Sequence, residues 1–409
     1  MAAAPAGSAP VHGDHRASLE DWASTRRPYL DNLKVVLITA IIAFHGVLGY
    51  ASTVEVWTYT EMREVSLHPA TEAVLFVLVS PFGLFLIPLL FLVAGLLTPP
   101  SLAHKGTGAF VRDRLLRLGV PFAIYVFLIQ PSLNYALQRP LGLAPGSYLD
   151  EYMRPEGRVD TGPLWFVGVL LAFSLGYAGA HAALSRWRRS QPVPPPEALQ
   201  TRPTRSVTVR ILALTAAVVA PLSFVVRLAY PYGSESGVTD LNFWEWPACL
   251  AVFTIGVVAA ERNWVAAIPA PLARRCGRVT LAAVLAMGVL LSVVASADAV
   301  ESALGGWSWA AAAFAVIDAV LGVFGSIWLL GVAQRHLDRR HRWGPLLSRS
   351  AYGAFMLQSI FLLGIAVVLR PVDAPAEVKA AVVAAGGVVL SYAAAWLLIS
   401  RVPGMSRIL

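Results

Sequence analysis

The segment YLDNLKVVLITAIIAFHGVLGY, residues 29–50, sets a histidine inside an apolar run with a lysine and an aspartate at its start. Ionisable groups within such runs are costly to bury, so each is a candidate for function. Lys34 and His45 are eleven positions apart. On a helix that spacing is about 20° from a common face and about 16 Å along the axis. Asp31 to His45 is about 40° and about 21 Å, too far for a hydrogen bond within one helix. A cation at one depth and an imidazole deeper on the same side suit an extended ligand with an anionic end. An acyl-CoA has that layout, with phosphates at one end and a thioester at the other. A neutral imidazole can take a proton from a hydroxyl as that hydroxyl attacks a thioester carbonyl. The structural alternative is a histidine that hydrogen-bonds a neighbouring helix.

The second cluster is FVRDRLLRLGVPF, residues 110–122, with Arg112, Arg114 and Arg117. Arg114 and Arg117 are three apart and share a helix face. Arginine forks match phosphate oxygens in pairs, so the two are candidates for phosphate binding; ordinary interfacial anchoring is the alternative. Asp318 lies about ten residues into a later apolar run, deep enough to orient the His45 ring. Glu72 and Glu245 lie near run ends, and Gln358 lies mid-run. Trp165 and Trp244 stand where interfacial aromatics anchor helices. Cys249 and Cys276 have neither disulfide nor zinc spacing.

The elements that must position these residues follow from hydropathy. The chain is 57% hydrophobic and 14% charged, against about a quarter charged in soluble domains. Repeated apolar runs of about twenty residues predict an all-α polytopic bundle of about ten transmembrane helices, and strand alternation is absent. The runs fall near 33–53, 72–97, 115–137, 164–184, 207–229, 242–260, 277–296, 309–332, 348–369 and 377–400. Pro81, Gly83 and Pro88 predict a kink in the second.

Arginines concentrate in every second loop and acidic residues in the others. That alternation predicts both termini in the cytoplasm. It also accounts for the net charge of +8 without nucleic acid, because no basic, aromatic-bearing fold accompanies it. Residues 1–27 read as a disordered cytoplasmic tail without a signal peptide, 28–402 as the membrane domain, and 403–409 as a cytoplasmic tail. The outer loop 138–163, with Tyr148 and Tyr152, is the expected lid or acceptor-recognition segment. The Pro-rich stretch 190–206 is an expected solvated linker. Abundant alanine and arginine point to a GC-rich bacterial genome.

Several of these segments together resemble the acyltransferase 3 family of bacterial membrane acyltransferases, over nearly the whole chain from about residue 28. YLDNLKVVLITAIIAFH resembles its opening pattern, and FLVAGLLTPP the end of its second span, with Ala94 where serine is usual. RDRLLRLGVPF resembles its Arg-x-x-Arg segment, GPLWFVGVLLAFSLGY the opening of its fourth span, and LSRSAYGAFMLQ its late Ser-Tyr-Gly pattern. The resemblance implies transfer of an acyl group, often acetyl, from cytoplasmic acyl-CoA to a hydroxyl at or beyond the outer face. The acyl-CoA is a donor substrate, with no permanently bound cofactor and no metal. It implies that His45 is the catalytic histidine and that Arg114 and Arg117 handle the donor. Lys34 stands where an arginine is usual, keeping the charge but losing the planar fork. Gln358 stands where a histidine is often found, so a second-histidine role is absent.

The expected protein is thus an O-acyltransferase of the bacterial plasma membrane. Its partners would be the bilayer, acyl-CoA, and a carbohydrate or other small hydroxylated acceptor. His45 would act as base, Asp318 as its orienting carboxylate, and Lys34, Arg114 and Arg117 as holders of the CoA phosphates. The rival reading is a secondary transporter or flippase, which also buries charge among many spans. A membrane scaffold or sensor is the third.

Overall fold

The computed structural model describes residues 27–52, 63–76, 80–139, 142, 146–149, 160–190, 207–234, 241–262, 264 and 268–405. Residues 1–26, most of the 138–163 loop including Tyr152, nearly all of the 190–206 stretch, and residues 406–409 lie outside that description.

Among the described residues the chain is helical, without strands. Ten helices are long and apolar enough to cross a membrane: α1 Pro28–Leu48, α2 Gly83–Lys105, α3 Thr107–Leu137, α4 Gly162–Trp187, α5 Val209–Ala229, α6 Phe243–Glu261, α7 Ala270–Ser296, α8 Trp309–His336, α9 Gly344–Leu369 and α10 Ala376–Arg401. The all-α polytopic architecture agrees with the hydropathy pattern. Several boundaries do not. α3 begins at Thr107 and α7 at Ala270, each a turn or more before its apolar run. Hydropathy marks where side chains become apolar, whereas backbone hydrogen bonding carries a helix through RDRLLR and ARRCGR regardless of polarity. The second expected span is divided between a short helix, Pro69–Val74, and α2.

Local signals set several starts. Pro28 occupies the first turn of α1, where its missing N–H costs nothing. Thr208 and Ser308 cap α5 and α8 by accepting from the backbone of Ile211 and Ala311. α5 and α7 leave stripes of leucine and valine uncovered, such as Leu281, Leu285 and Val289, spaced as a single helix face. An unpartnered apolar stripe of this kind suits lipid contact.

Small residues bring helices together where the site needs them. A Cβ on Gly95 would meet the Phe253 carbonyl oxygen at 2.2 Å, so α2 and α6 pack backbone to backbone. A Cβ on Gly46 would meet Ala384 Cα at 2.8 Å, which seats α1 tightly on α10. Gly46 follows His45, so this contact holds the histidine at one height.

The two ends of the bundle can be told apart by their contacts. At the basic end, Asn32 of α1 donates to the carbonyls of Leu337 and Arg339 just past α8. There too, Lys105 closing α2 meets Asp113 of α3 at 2.8 Å. At the far end, Lys379 of α10 pairs with Glu64 at 2.7 Å, and Ser52 donates to Glu72 at 2.7 Å.

Candidate active site

α9 is the spine of the site, and the pattern LSRSAYGAFMLQS supplies its contacts in order. Ser348 donates to Asp31 Oδ1 of α1 at 2.8 Å. One turn on, the Tyr352 hydroxyl donates to the Arg117 carbonyl of α3 at 2.9 Å. Six residues further, about 9 Å along the axis, Gln358 Oε1 lies 2.9 Å from His45 Nδ1. The next residue, Ser359, lies 2.7 Å from the Tyr125 hydroxyl of α3. One helix therefore ties together the basic ends of α1 and α3 and, deeper, His45.

His45 itself is half-buried and Gln358 is fully buried. With the Gln358 amide oxygen facing the ring, as placed here, Oε1 can only accept, and the matching tautomer is the one protonated at Nδ1. The lone pair is then on Nε2, which is the nitrogen able to take a proton.

A hydrogen-bonded chain continues from Ser359 toward the far end. The Tyr125 hydroxyl donates to Gln130 Oε1 at 2.7 Å, and Gln130 Nε2 donates to Asp160 Oδ2 at 2.6 Å. Asp160 Oδ1 accepts from the Gly162 backbone at 2.8 Å. Gly162 has a φ of +45°, and a Cβ there would meet the Tyr125 hydroxyl at 3.0 Å. Glycine is required by conformation and by space. The opening of GPLWF is thereby fastened to the site.

Arg117 at the basic end and Tyr125 deeper in the bundle sit in two π-helical turns of α3, Leu115–Gly119 and Tyr125–Ile129. Such turns rotate the following side chains relative to a regular helix. Arg117 Nε is 3.1 Å from Asp113 Oδ1. Arg114 lies 4.9 Å over the Phe110 ring, and its Nε is buried without a hydrogen-bond partner among the described residues. Lys34 is half-buried on α1, one turn from Asp31. Through α9 the structure gathers the α1 and α3 segments that carry Lys34, Arg114 and Arg117 to one end, with His45 deeper on the same frame.

Asp318 is elsewhere. Its Oδ2 accepts from Arg227 Nη2 of α5 at 2.5 Å, and both side chains are almost wholly buried. The guanidinium rests against the edge-to-face pair formed by Tyr232 and Phe314, 5.2 and 5.0 Å from their centroids. Glu245 is buried close by, and Trp244 packs at a tilt against Tyr232, with centroids 4.1 Å apart, and against Trp165 at 6.4 Å. The expectation that Asp318 orients His45 is corrected. A buried carboxylate takes the nearest cation, and a neutral amide fills the place at Nδ1.

Residue-by-residue reading missed Arg227, Tyr125, Gln130 and the contacts of Ser348 and Tyr352. Arg227 had a signal, being a lone charge in an apolar run. The Tyr125 and Gln130 contacts depend on which helices are neighbours, which hydropathy does not encode.

A family model described as an acyltransferase domain matches residues 27–400, nearly the whole chain. Comparisons with curated proteins and with solved structures gave no match. The family match favours group transfer over the transporter and scaffold readings. With ten apolar helices and a match of this length, the chain belongs to the acyltransferase 3 family and is a membrane acyltransferase.

Proposed function

We propose that the protein is an acyl-CoA-dependent O-acyltransferase of the bacterial plasma membrane, with the basic end facing the cytoplasm. In this reading it moves an acyl group, by preference acetyl, to a hydroxyl of a carbohydrate or other exported acceptor. The observation that carries the reading is the His45–Gln358 contact, which leaves Nε2 basic. Lys34, Arg114 and Arg117 hold the phosphates of the donor at the basic end. The pantetheine arm then runs inward and brings the thioester toward His45.

The reaction balances with a single histidine. Nε2 takes the proton from the acceptor hydroxyl as its oxygen attacks the thioester carbonyl. The tetrahedral intermediate collapses, the C–S bond breaks, and His45 returns the proton to the departing thiolate. The products are the acyl ester and free CoA, and the imidazole ends neutral with Gln358 still accepting from Nδ1.

The test is transfer of radiolabelled acetyl from acetyl-CoA into the cell-envelope and secreted fractions by membranes carrying His45→Ala at wild-type expression. General-base loss is expected to lower the rate about 10²–10⁴-fold. Wild-type rates in that variant would sink the assignment.

A further inference from the structure

Lys105 and Asp113 have no part in the mechanism above, yet they close on one of its arginines. Asp113 uses both oxygens, Oδ2 on Lys105 Nζ at 2.8 Å and Oδ1 on Arg117 Nε at 3.1 Å. One carboxylate thus spans two cations, one at the end of α2 and one on α3. All three side chains reach solvent, with exposures of 34% for Lys105, 22% for Asp113 and 49% for Arg117. Arg114, the adjacent cation, is held differently. It stacks on the buried Phe110 ring, and its buried Nε has no hydrogen-bond partner among the described residues.

A carboxylate bridging two cations with its two oxygens has the connectivity that a phosphate would adopt there. Exposed ion pairs of this kind are weak and exchangeable. A phosphate carries more charge and more oxygens than a carboxylate, so it can take both cations from Asp113. Three cations and one carboxylate also leave a local surplus of two positive charges, which attracts an anion even while Asp113 is in place.

We propose that Lys105 is a further ligand for the donor phosphates and that Asp113 is a built-in competitor occupying Lys105 and Arg117 until the donor arrives. This rests on the reading that Arg114 and Arg117 bind those phosphates. Asp113 thereby sets a threshold of charge. Acyl donors with several phosphate charges displace it, and weakly anionic thioesters do not.

The experiment is equilibrium binding of CoA to the full-length protein in detergent, with monodispersity confirmed for each variant. Lys105→Gln is expected to weaken CoA binding about 5–10-fold, and Lys105→Arg to restore most of it, because phosphate contacts scale with cation number. Asp113→Asn is expected to tighten binding about 2–5-fold, the upper part of the range set by one exposed ion pair. Asp338, an exposed carboxylate at the same end, is the control for long-range charge. Asp338→Asn should change affinity much less than Asp113→Asn. An equal gain from both would reduce Asp113 to background field and overturn the proposal. So would weaker or unchanged binding in Asp113→Asn, the first meaning that Asp113 only orients Arg117. Unchanged binding in Lys105→Gln overturns it as well. The Arg114→Gln, Arg117→Gln double variant separates the two readings. Loss of binding there, with no effect at Lys105 or Asp113, defeats this proposal alone, whereas no loss defeats the donor-site reading beneath it.

Discussion

Two buried polar regions lie in the same bundle, and they are built on opposite rules. Around α1, α3 and α9 the groups are mostly neutral: an imidazole, two glutamines, a serine and a tyrosine, joined pair by pair and reaching one carboxylate at Asp160. The histidine at its head is only half-buried. Around α5, α6 and α8 the groups are charges. Arg227 is 1% exposed and Asp318 4%, and two aromatic rings in contact with each other pack against the guanidinium. Arg227 Nε and Nη1 have no hydrogen-bond partner among the described residues. In the proposed mechanism the first region keeps a reactive atom within reach of a substrate. The second locks opposite charges together between helices. If that reading holds, depth of burial does not distinguish a catalytic group from a structural one; the partner and the remaining access do.

That contrast is most sharply tested by exchanging the damage. His45→Ala should remove activity by the orders of magnitude given above while leaving the thermal unfolding midpoint nearly unchanged. Asp318→Asn should do the reverse, because removing one partner of a buried pair costs about 3–5 kcal/mol. Its unfolding midpoint in detergent should fall clearly, while acetyl transfer per folded molecule is retained. Stability held with activity lost in Asp318→Asn would return this carboxylate to the catalytic set. Changing both partners to apolar residues, Arg227→Met with Asp318→Leu, should recover much of the loss, since an uncompensated charge is worse than no charge.

The sequence made the ten helices legible because lipid demands long apolar runs, and nothing about neighbours is needed to see them. It made His45, Arg114 and Arg117 legible for the same reason, as ionisable groups in or beside such runs. Pairing was not legible. Asp318 looked suited to His45 by depth along its own helix, but depth does not say which helices touch. Arg227 of α5 and Gln358 of α9 are separated by about a third of the chain, and they take Asp318 and His45, the two residues that depth alone had matched to each other. Likewise Tyr352 stood in a recognisable pattern, but its contact with the Arg117 carbonyl depends on α9 lying against a π turn of α3. Boundaries failed at α3 and α7 because helices outlast their apolar cores.

Within the catalytic region the comparison sharpens to smaller effects. Gln358→Leu removes the acceptor from His45 Nδ1 and leaves the histidine in place. A neutral hydrogen bond is worth about 0.5–1.5 kcal/mol, so the rate should fall about 2–13-fold, far less than in His45→Ala. Gln358→Glu is the discriminating companion. Its carboxylate also accepts from Nδ1, so it should recover turnover relative to Gln358→Leu when rates are corrected for folded protein. If leucine matches wild type, Gln358 packs against His45 without selecting its tautomer.

The smallest expected effect is at Tyr352. Tyr352→Phe keeps the ring and deletes one hydroxyl, which donates to the backbone of Arg117. That bond sits at a π turn, where the carbonyl pattern of a regular helix is already disturbed. The loss of about 1 kcal/mol should appear as a few-fold rise in the KM for acetyl-CoA with kcat little altered, because the contact positions an arginine and touches no reacting atom. A fall in kcat with KM unchanged would place Tyr352 in the chemistry instead, and would extend the reactive region along α9 from Gln358 back to Tyr352.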